Sequence, residues 1–251
     1  MTASFEGKVA LVIGASRGMG RDTARQLAAR GAHTVVSSRD IGACGDVADA
    51  IAAAGGAATA LPVDIQSADS LAALMTSIEA AFGRLDMAFN NAGKILGFGA
   101  LEAADPEGFD DAMRLNAGGV YRALSAQIPL MKKSGGGAIV INAALAGMRG
   151  IPGIGAYSAA KSAAIMLARI AAVEAGPANI RVNAIAPGYI ATEAWMAKLG
   201  GEAETLAARV PLGRIGQGAE VADAVCWLLS AQASYINGVV LPIDGGLDAV
   251  F

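Results

Sequence analysis

Cysteine and histidine are scarce in this chain of 251 residues, which has two cysteines and one histidine. Cys44 and Cys226 are too few for a disulfide framework or a cysteine metal cluster. His33 precedes a predicted strand, where we expect a structural role, so the sequence favours neither Ser-His-Asp hydrolysis nor a histidine-rich zinc site. We therefore expect a reduced, cytoplasmic protein without a metal centre.

Charged residues are also few, at 16% of the chain, and 19 Lys and Arg nearly balance 22 Asp and Glu. The net charge is −3 and no basic block is present, so no nucleic-acid partner is expected. Residues 1–8 lack the apolar centre of a signal peptide. The longest uncharged run, residues 224–243, is broken by polar residues and a proline, which predicts a helix, a turn and a strand instead of a membrane span.

Apolar residues make up 54% of the sequence, enough for a sizeable core. Short apolar runs alternate with longer alanine-rich amphipathic stretches, which is typical of βαβ units. Strands are predicted at residues 9–13, 34–37, 59–63, 87–89, 138–142, 181–185 and 239–243, and helices at about 20–30, 41–54, 67–82, 107–133, 157–175 and 220–230. Continuously apolar strands have both faces covered. The sequence thus predicts a single α/β, doubly wound, Rossmann-like domain over residues 1–251, with a seven-stranded parallel sheet and helices on both faces.

The β/α alternation is interrupted at residues 193–218, where glycines and a proline lie close together. Such a break predicts an insertion or a substrate-binding lid over a site. An ordinary surface excursion explains the same composition equally well, and the sequence leaves both interpretations open.

A glycine-rich turn, Gly-Ala-Ser-Arg-Gly-Met-Gly, follows the first predicted strand at residues 14–20. Gly14 permits a tight exit from the strand, Gly18 lets backbone N–H groups approach a pyrophosphate, and Gly20 allows close packing of the helix on the strand. The spacing differs from Gly-x-Gly-x-x-Gly, but the strand–turn–helix context favours a dinucleotide phosphate site. Its predicted residues are Gly14, Ser16, Arg17, Gly18, Met19 and Gly20.

The end of the second predicted strand lacks the acidic residue that binds a ribose 2′-hydroxyl in many dinucleotide folds. Ser38 and Arg39 stand there instead, and Arg17 and Arg39 can together attract a 2′-phosphate. We infer NADP(H) in preference to NAD(H). Alternatively, Arg39 is merely solvated and Asp40 supplies the carboxylate just beyond it.

Tyr157 and Lys161 lie four residues apart in a predicted helix and so share one face. A free phenol has a pKa of about 10, and a nearby ammonium stabilises the phenolate and lowers that pKa. We therefore expect Tyr157 to be a general acid or base near neutral pH, with Lys161 as its support.

Together with other segments, this pair resembles the short-chain dehydrogenase/reductase family along nearly the whole chain. The matching segments, in family order, are residues 14–20, Asp64, residues 90–93, Asn116, residues 157–161, 187–188 and 244–246. The resemblance implies hydride transfer to or from a nicotinamide, with Tyr157 protonating the substrate oxygen and Lys161 also holding the nicotinamide ribose. Asn116 would support a water relay. The remaining implied cofactor contacts are Asp64 and Ile65 at the adenine, Asn91, Ala92 and Gly93 along the cofactor, and Pro187, Gly188, Ile190 and Thr192 at the nicotinamide amide.

One family residue is absent. A serine that binds the substrate oxygen lies thirteen residues before the tyrosine in this family, and position 144 here is alanine. Gly147 supports the register, and neither Ser134 nor Ser158 is placed to substitute. Loss of a hydroxyl donor to a developing oxyanion lowers turnover by roughly 10²–10³. We interpret Ala144 as an engineered, inactivating replacement, and a natural variant with another donor or none is the alternative.

The sequence therefore predicts an NADP(H)-dependent oxidoreductase that interconverts a ketone and a secondary alcohol, with turnover impaired by Ala144. The alternatives are a cofactor-binding protein without redox turnover and a non-redox dehydratase that uses Tyr157 and Lys161. The resemblance also implies pocket walls at residues 94–98 and 145–154, with Trp195, Met196 and Leu199. These residues are mostly apolar and favour a medium-sized hydrophobic or cyclic substrate. Lys94 or Arg149 could instead receive an acidic group.

Assembly follows from the two longest predicted helices. Residues 107–133 and 157–175 carry apolar side chains on more than one face, as expected where a second subunit packs. Family members are commonly homotetramers, so the resemblance implies one here.

Overall fold

The computed structural model describes residues 4–250, without the side chains of residues 194 and 198–200. The strands in this part of the chain are β1 (Val9–Ile13), β2 (His33–Ser38), β3 (Ala57–Pro62), β4 (Met87–Asn90), β5 (Gly137–Asn142), β6 (Ile180–Pro187), β7 (Ile190–Ala191), β8 (Gly216–Gln217) and β9 (Val240–Ile243). Seven of them form one sheet in the order β3-β2-β1-β4-β5-β6-β9, with every pairing parallel. The predicted seven-stranded parallel sheet is confirmed, and its strand limits lie within two residues of the predicted ones.

Helices cover both faces of this sheet. They are α1 (Gly18–Ala29), α2 (Ile41–Ala53), α3 (Ala68–Phe82), α4 (Pro106–Ala112), α5 (Gly118–Lys133), α6 (Gly155–Ala175), α7 (Glu193–Leu199), α8 (Ala203–Arg209) and α9 (Gly218–Leu229). Because side chains alternate along a strand, Leu11 and Ile139 pack with α3, α5 and α6, whereas Val12 and Val140 pack with α1, α2 and α9. The predicted doubly wound α/β arrangement is confirmed.

The strand order reverses between β1 and β4, since β2 and β3 lie on one side of β1 and the later strands lie on the other. Doubly wound sheets bind ligands in the crevice beyond the carboxyl ends of the strands at such a point. Ile13 and Asn90, the last residues of β1 and β4, are paired neighbours. The glycine-rich turn and the segment 91–93 therefore begin side by side at this edge.

The helix predicted over residues 107–133 is interrupted in the structure. α4 ends at Ala112, a π-helical segment covers Met113–Ala117, and α5 begins at Gly118. Within the π segment, Asn116 donates hydrogen bonds to the carbonyls of Ala112 and Lys94. The prediction of one continuous helix is wrong here, because the wide turn directs a side chain to the segment that follows β4. Such π segments occur frequently at functional sites.

Residues 193–218, where the alternation breaks, form short elements. α7 is followed by a 3-10 turn at Gly200–Glu202, then by α8, and then by β8, which pairs with β7. The uncharged run at 224–243 forms the end of α9, a turn and β9, as predicted.

One described helix, Gly155–Ala178, is long and apolar enough to cross a membrane by length and composition alone. In the structure it packs on β6, and its alanines, including Ala164, Ala168 and Ala172, belong to the core cluster on that face of the sheet. Its apolar character is thus used in core packing.

His33 begins β2 and lies between two neighbouring elements. Its Nε2 is 2.9 Å from Thr59 Oγ1, and its ring lies 4.5 Å from that of Phe82, centroid to centroid. Partial burial lowers the pKa of the imidazole. These contacts support a structural role for the histidine.

Candidate active site

The glycine-rich turn is packed so closely that side chains cannot enter it. Gly14 has a φ of 82°, and a Cβ at this position would lie 2.7 Å from the backbone nitrogen of Ala92. A Cβ on Gly20 would collide with the Gly14 carbonyl and lie 2.6 Å from Asn91 Nδ2. The turn therefore brings the start of α1 directly against the ends of β1 and β4.

The amino terminus of α1 lies at this turn, and the N–H of its first residue, Gly18, donates to the Glu193 carboxylate. Its N-cap residue, Arg17, makes no side-chain cap, so the first N–H groups of the helix have no capping partner from that residue. Ser16 is half-buried and Arg17 is exposed, whereas Met19 packs against the apolar cluster beneath α1. Uncapped N–H groups and the helix dipole suit an anion such as a phosphate.

The end of β2 carries polar residues with different partners. Ser38 Oγ donates to the Asp40 carbonyl at 3.1 Å and lies 3.1 Å from Cys44 Sγ. The Asp40 carboxylate caps α2 by accepting from the Ala43 nitrogen at 3.0 Å. Arg17 and Arg39 are exposed, and within residues 4–250 neither is part of an ion pair. The Asp40 carboxylate thus has a partner on its own helix, whereas the two guanidinium groups have no carboxylate partner among the described residues.

Asp64 and Ile65 follow β3 in a tight turn. Asp64 Oδ1 accepts from the Gln66 nitrogen, and the Asp64 nitrogen donates to Ser70 Oγ. Ile65 is 7% exposed, and a Cβ on Gly119 would lie 2.6 Å from its Cδ1. The isoleucine side chain is therefore used in core packing against α5, which leaves its backbone for any contact with adenine.

The segment after β4 connects the glycine-rich turn to the predicted catalytic residues. Asn91 Nδ2 donates to the Gly14 carbonyl at 2.8 Å, and Asn91 Oδ1 accepts from Asn142 Nδ2 at 2.8 Å. A Cβ on Gly93 would lie 2.7 Å from Asn116 Oδ1 and 3.1 Å from Lys161 Nζ. Only a glycine fits between those two polar groups.

Lys161 and Tyr157 lie on α6 beside the carboxyl end of β5. Lys161 is 2% exposed, its Nζ donates to the Asn142 carbonyl at 2.6 Å, and the same Nζ lies 5.6 Å from the centroid of the Tyr157 ring. The structure thus brings together the ammonium, the phenol ring and the end of a central strand. Asn142 was not singled out from the sequence, although a polar residue that ends an apolar strand is a usable signal.

Burial dominates the ionisation of this pair. It raises the pKa of Tyr157 to about 12 and lowers the pKa of Lys161 to about 8. The expectation that Lys161 lowers the pKa of the phenol is therefore wrong for the protein alone, because loss of water opposes the charged form of each group. At neutral pH the phenol is protonated.

The Asn116 side chain is fully engaged. Its Nδ2 donates to the carbonyls of Lys94 and Ala112 at 3.0 and 3.1 Å, and its Oδ1 accepts from the Lys94 nitrogen at 3.1 Å. Asn116 thus fixes the segment after β4 next to Gly93 and Lys161.

Ala144 lies two residues beyond β5, just before a 3-10 turn at Leu145–Gly147. The Gly147 nitrogen donates to the Ala144 carbonyl at 2.9 Å. A Cβ on Gly147 would lie 2.8 Å from the Lys161 carbonyl carbon, and Ser162 Oγ donates to the Gly147 carbonyl. The turn is therefore docked on α6 at Lys161, with a methyl group at position 144.

Within residues 4–250, neither Ser134 nor Ser158 makes a side-chain hydrogen bond to Tyr157, Lys161 or Ala144. Ser134 Oγ accepts from the Leu85 nitrogen and donates to the Leu130 carbonyl, before the start of β5 and so at the opposite edge of the sheet. Ser158 Oγ is buried and makes no hydrogen bond with the described residues.

The segment 187–192 leads from β6 to the glycine-rich turn. The Gly188 nitrogen donates to the Ile243 carbonyl, and Ile190 is buried in β7. A Cβ on Gly18 would lie 3.1 Å from Thr192 Cγ2, so Thr192 sits over the start of α1. Pro187 ends β6 and is buried.

Residues 193–218 lie next to this segment. Arg21 on α1 forms an ion pair of 2.7 Å with Glu193 at the start of α7, and a cavity of about 500 Å³ lies between these elements. Trp195 stacks on Tyr189 with ring centroids 5.7 Å apart, and Met196 is 39% exposed. The Leu199 side chain lies outside the described part of the chain.

The remaining predicted walls carry exposed apolar side chains. Phe98 is 68% exposed, Met148 and Ile151 are also exposed, and the Gly99 nitrogen donates to the Gly153 carbonyl, which joins the two walls. Lys94 is exposed, whereas Arg149 is paired with Asp248 through Nε at 2.7 Å. Of the two cations considered for an acidic substrate, Arg149 is therefore already engaged.

Comparison with known proteins identifies the family of this chain. The family model described as enoyl-(acyl carrier protein) reductase matches residues 14–248. The chain is 37% identical over 252 residues to cyclohexanol dehydrogenase of Acinetobacter sp. (strain SE19), covering 98% of this chain and 96% of that one. It is 38% identical over 250 residues to cis-4-hydroxycyclohexanecarboxylate dehydrogenase of Sinomonas cyclohexanicum, covering both chains completely.

Solved structures show the same likeness. A 7α-hydroxysteroid dehydrogenase complexed with NADH and 7-oxo glycochenodeoxycholic acid is 34% identical with a TM-score of 0.91, covering 97% of this chain and 95% of that one. A levodione reductase is 33% identical with a TM-score of 0.93, covering 98% and 100%. The motifs, the fold and these relatives agree, and the chain belongs to the short-chain dehydrogenase/reductase family.

Proposed function

We propose that this chain is an NADP(H)-dependent oxidoreductase that interconverts a secondary alcohol and a ketone. The observation that carries the proposal is the series of hydrogen bonds from Gly14 through Asn91 and Asn142 to Lys161. It holds a phosphate-type turn and a Tyr–Lys pair at one edge of the sheet. A dinucleotide can bind at the turn, and the tyrosine can act as a general acid or base beside it.

The residues of this edge fit a pyridine dinucleotide. Gly14, Gly20 and Gly93 each keep open a space that a Cβ would fill, and the N–H groups at the start of α1 suit a pyrophosphate. When bound, the nicotinamide supplies or accepts the hydride. The proposed contacts are Gly14, Ser16, Arg17, Gly18, Met19, Gly20, Ser38, Arg39, Asp64, the backbone of Ile65, Asn91, Ala92, Gly93, Tyr157, Lys161, Pro187, Gly188, Ile190 and Thr192.

Tyr157 is the proposed proton donor. Its buried phenol is protonated at neutral pH, so it can give a proton to the oxygen of a ketone that is being reduced. Lys161 holds the positive charge next to the phenol, and Asn116 positions the segment that packs against Lys161.

The preference for NADP(H) rests on Arg17 and Arg39, since Asp40 is used as a helix cap. Fluorescence titration with NADPH and NADH tests it. We expect Arg39→Gln to weaken NADPH binding by about tenfold or more, because a charge-assisted hydrogen bond is lost, and to leave NADH binding nearly unchanged. Lys132→Gln, the same charge change on an exposed residue at the end of α5, is the control. Equal NADPH affinity in wild type and Arg39→Gln would contradict the preference.

We propose a cyclic or medium-sized hydrophobic substrate. The pocket walls at 94–98 and 145–154 are apolar apart from Lys94 and the paired Arg149, and residues 193–218 would act as a lid beside them. Two relatives are named for hydroxylated cyclohexane substrates. Rates of NADPH oxidation with cyclohexanone, 4-oxocyclohexanecarboxylate and short acyclic ketones test this class, and a clear preference for the acyclic ketones would contradict it.

A cofactor-binding protein without turnover is the second candidate, and the methyl group at position 144 is the observation that favours it. Tight NADPH binding with no ketone reduction after Ala144→Ser would support this candidate. Product formation from an alcohol without added NADP(H) would indicate dehydration instead.

We also propose a homotetrameric, cytoplasmic enzyme. Tyr121 on α5 and Met166, Ile170 and Val173 on α6 are between 45% and 78% exposed, which suits a subunit interface on these two helices. Size-exclusion chromatography with light scattering should give four times the chain mass, and a monomer would contradict the assembly.

A further inference from the structure

Asn142 contacts two different parts of the site. It is the last residue of β5 and is 7% exposed. Its backbone carbonyl accepts the hydrogen bond of 2.6 Å from Lys161 Nζ, while its side-chain Nδ2 donates to Asn91 Oδ1 at 2.8 Å. Its position thus determines where the ammonium of Lys161 finds an acceptor.

Asn91 extends this link to the glycine-rich turn. Its Nδ2 donates to the Gly14 carbonyl at 2.8 Å, and the close approach of Gly20 leaves little space for that amide to move. A continuous series of three hydrogen bonds therefore runs from Lys161 through Asn142 and Asn91 to Gly14. Gly14 and Asn91 directly follow β1 and β4, and Asn142 ends β5, where it pairs with Ile185 of β6.

A buried ammonium needs acceptors, because removal from water is costly unless hydrogen bonds replace the lost solvation. The Asn142 carbonyl supplies one acceptor. The Asn142 side chain donates to Asn91, which in turn donates to the glycine-rich turn. We propose that Asn142 is a positioning residue, which holds the Lys161 ammonium in register with the phosphate-binding turn. The inference rests on the proposed function, since it concerns how one dinucleotide can engage both ends of the site.

A control asparagine, buried in the sheet but not bonded to Lys161 or the turn, separates a positioning role from a purely structural one. Asn183 on β6 is 1% exposed, and its side chain bonds to the Ile236 carbonyl and the Val239 nitrogen. It is a buried strand asparagine with two side-chain hydrogen bonds, and these go to the segment before β9 and not to Lys161 or the turn. Asn183→Ser is therefore the matched control for Asn142→Ser.

The first measurement is NADPH affinity by fluorescence titration. We expect Asn142→Ser and Asn91→Ser each to weaken binding by about tenfold, the loss that corresponds to 1.4 kcal/mol, and the double variant to be no weaker than the worse single variant. Asn183→Ser should lower the melting temperature without this loss. Multiplied losses in the double variant, or an equal loss in Asn183→Ser, would overturn the proposal.

The second measurement needs no ligand. With ¹³C-labelled lysine, the Cε resonance of Lys161 can be followed against pH by NMR, and Lys161→Met identifies the signal. Asn142→Asp places a carboxylate on the residue whose carbonyl accepts the ammonium, so the titration midpoint of Lys161 should rise, whereas Asn183→Asp should leave it unchanged. An unchanged midpoint in Asn142→Asp would overturn the proposal.

The two measurements separate the possible failures. If wild type binds neither NADPH nor NADH but Asn142→Asp still shifts the Lys161 midpoint, the proposed function fails and the link between Asn142 and Lys161 stands. If NADPH binds and neither Asn142 variant changes affinity or midpoint, the proposed function stands and the positioning role fails.

Discussion

Replacing Ala144 by serine is the most direct test of how this site works. Ala144 is 9% exposed, has an extended backbone and lies in a segment docked on α6 at Lys161. Serine adds one oxygen to the existing Cβ, so no backbone movement is required. The new hydroxyl would donate a hydrogen bond to the developing oxyanion of the substrate. Removing one such donor from an enzyme lowers turnover by roughly 10²–10³, or about 2.7–4 kcal/mol. We therefore expect Ala144→Ser to reduce a cyclic ketone about 10²–10³ times faster.

The assay is NADPH oxidation, followed by absorbance at saturating ketone, together with a fluorescence titration of NADPH. Ala143→Ser is the matched control, because Ala143 is 3% exposed and belongs to the apolar core cluster, so its hydroxyl would be buried away from the site. That variant should lose about 1–3 kcal/mol of stability and gain no rate. The reasoning is refuted if Ala144→Ser is no faster than wild type on any ketone that binds, or if both serine variants gain equally.

Two further predictions follow from burial and from close packing. The contribution of Lys161 to the free energy of unfolding should rise between about pH 8 and pH 10.5, because Lys161 has a pKa of about 8 in the folded protein and an ordinary value near 10.5 when unfolded, so the unfolded chain binds more protons there. From about pH 9 the Cys226 thiol, whose pKa burial raises to about 12, acts in the opposite direction, so the free energy of unfolding of the whole protein should rise only up to about pH 9. Above about pH 10 the raised pKa of Tyr157 also lowers the free energy of unfolding. Urea titrations of wild type and Lys161→Met across this pH range should differ by the lysine contribution. If the two free energies of unfolding change with pH in parallel, the prediction is contradicted. Gly20→Ala should abolish measurable NADPH binding, because its Cβ would collide with the Gly14 carbonyl. The control is Gly45→Ala in α2, where a Cβ meets nothing within 4 Å and should stabilise the protein by about 0.5–1 kcal/mol. An NADPH affinity of Gly20→Ala within tenfold of wild type would be inconsistent with the packing described.

The parts of the fold that the sequence predicts are those set by local patterns. Most of the seven strands of the sheet are short apolar runs followed by a glycine or a polar residue, and both signals are visible without tertiary information. The glycine-rich turn was predicted for the same reason, because the turn needs a positive φ at Gly14 and close approach at Gly20. Local chemistry dictates these positions.

Other features depend on contacts between distant segments. The π-helical segment at Met113–Ala117 is fixed by hydrogen bonds from Asn116 to Lys94, which lies on another loop. The short helices α7 and α8 have seven residues each, too few for helical periodicity to identify them. Ile65 lies just beyond a strand, at a position typical of a cofactor contact. Its side chain packs into the core instead, because Gly119 has no side chain to occupy that space. Spacing along the chain carries none of this information.

The pKa values of the Tyr–Lys pair illustrate the same limit in the chemistry. A spacing of four residues places both groups on one helix face, and from that fact alone the ammonium should lower the pKa of the phenol. In the folded protein the Lys161 Nζ donates to the Asn142 carbonyl, and both side chains lose contact with water. Burial therefore raises the pKa of the Tyr157 phenol and lowers the pKa of the Lys161 ammonium. How much water reaches a group is decided by the whole packing around it.

An alanine at position 144 and the proposed dinucleotide site are physically compatible, because separate groups hold the two segments. The series of hydrogen bonds from Gly14 through Asn91 and Asn142 to Lys161 contains no atom of residue 144. The segment carrying Ala144 is held instead by the Gly147 nitrogen, which bonds to the Ala144 carbonyl, and by close contact of Gly147 with the backbone of Lys161. Neither interaction involves a side chain at 144, so an alanine there is compatible with the contacts that hold the proposed cofactor edge. The effects of Ala144→Ser on turnover and of Asn142→Ser on NADPH affinity should therefore be independent, each appearing in its own measurement.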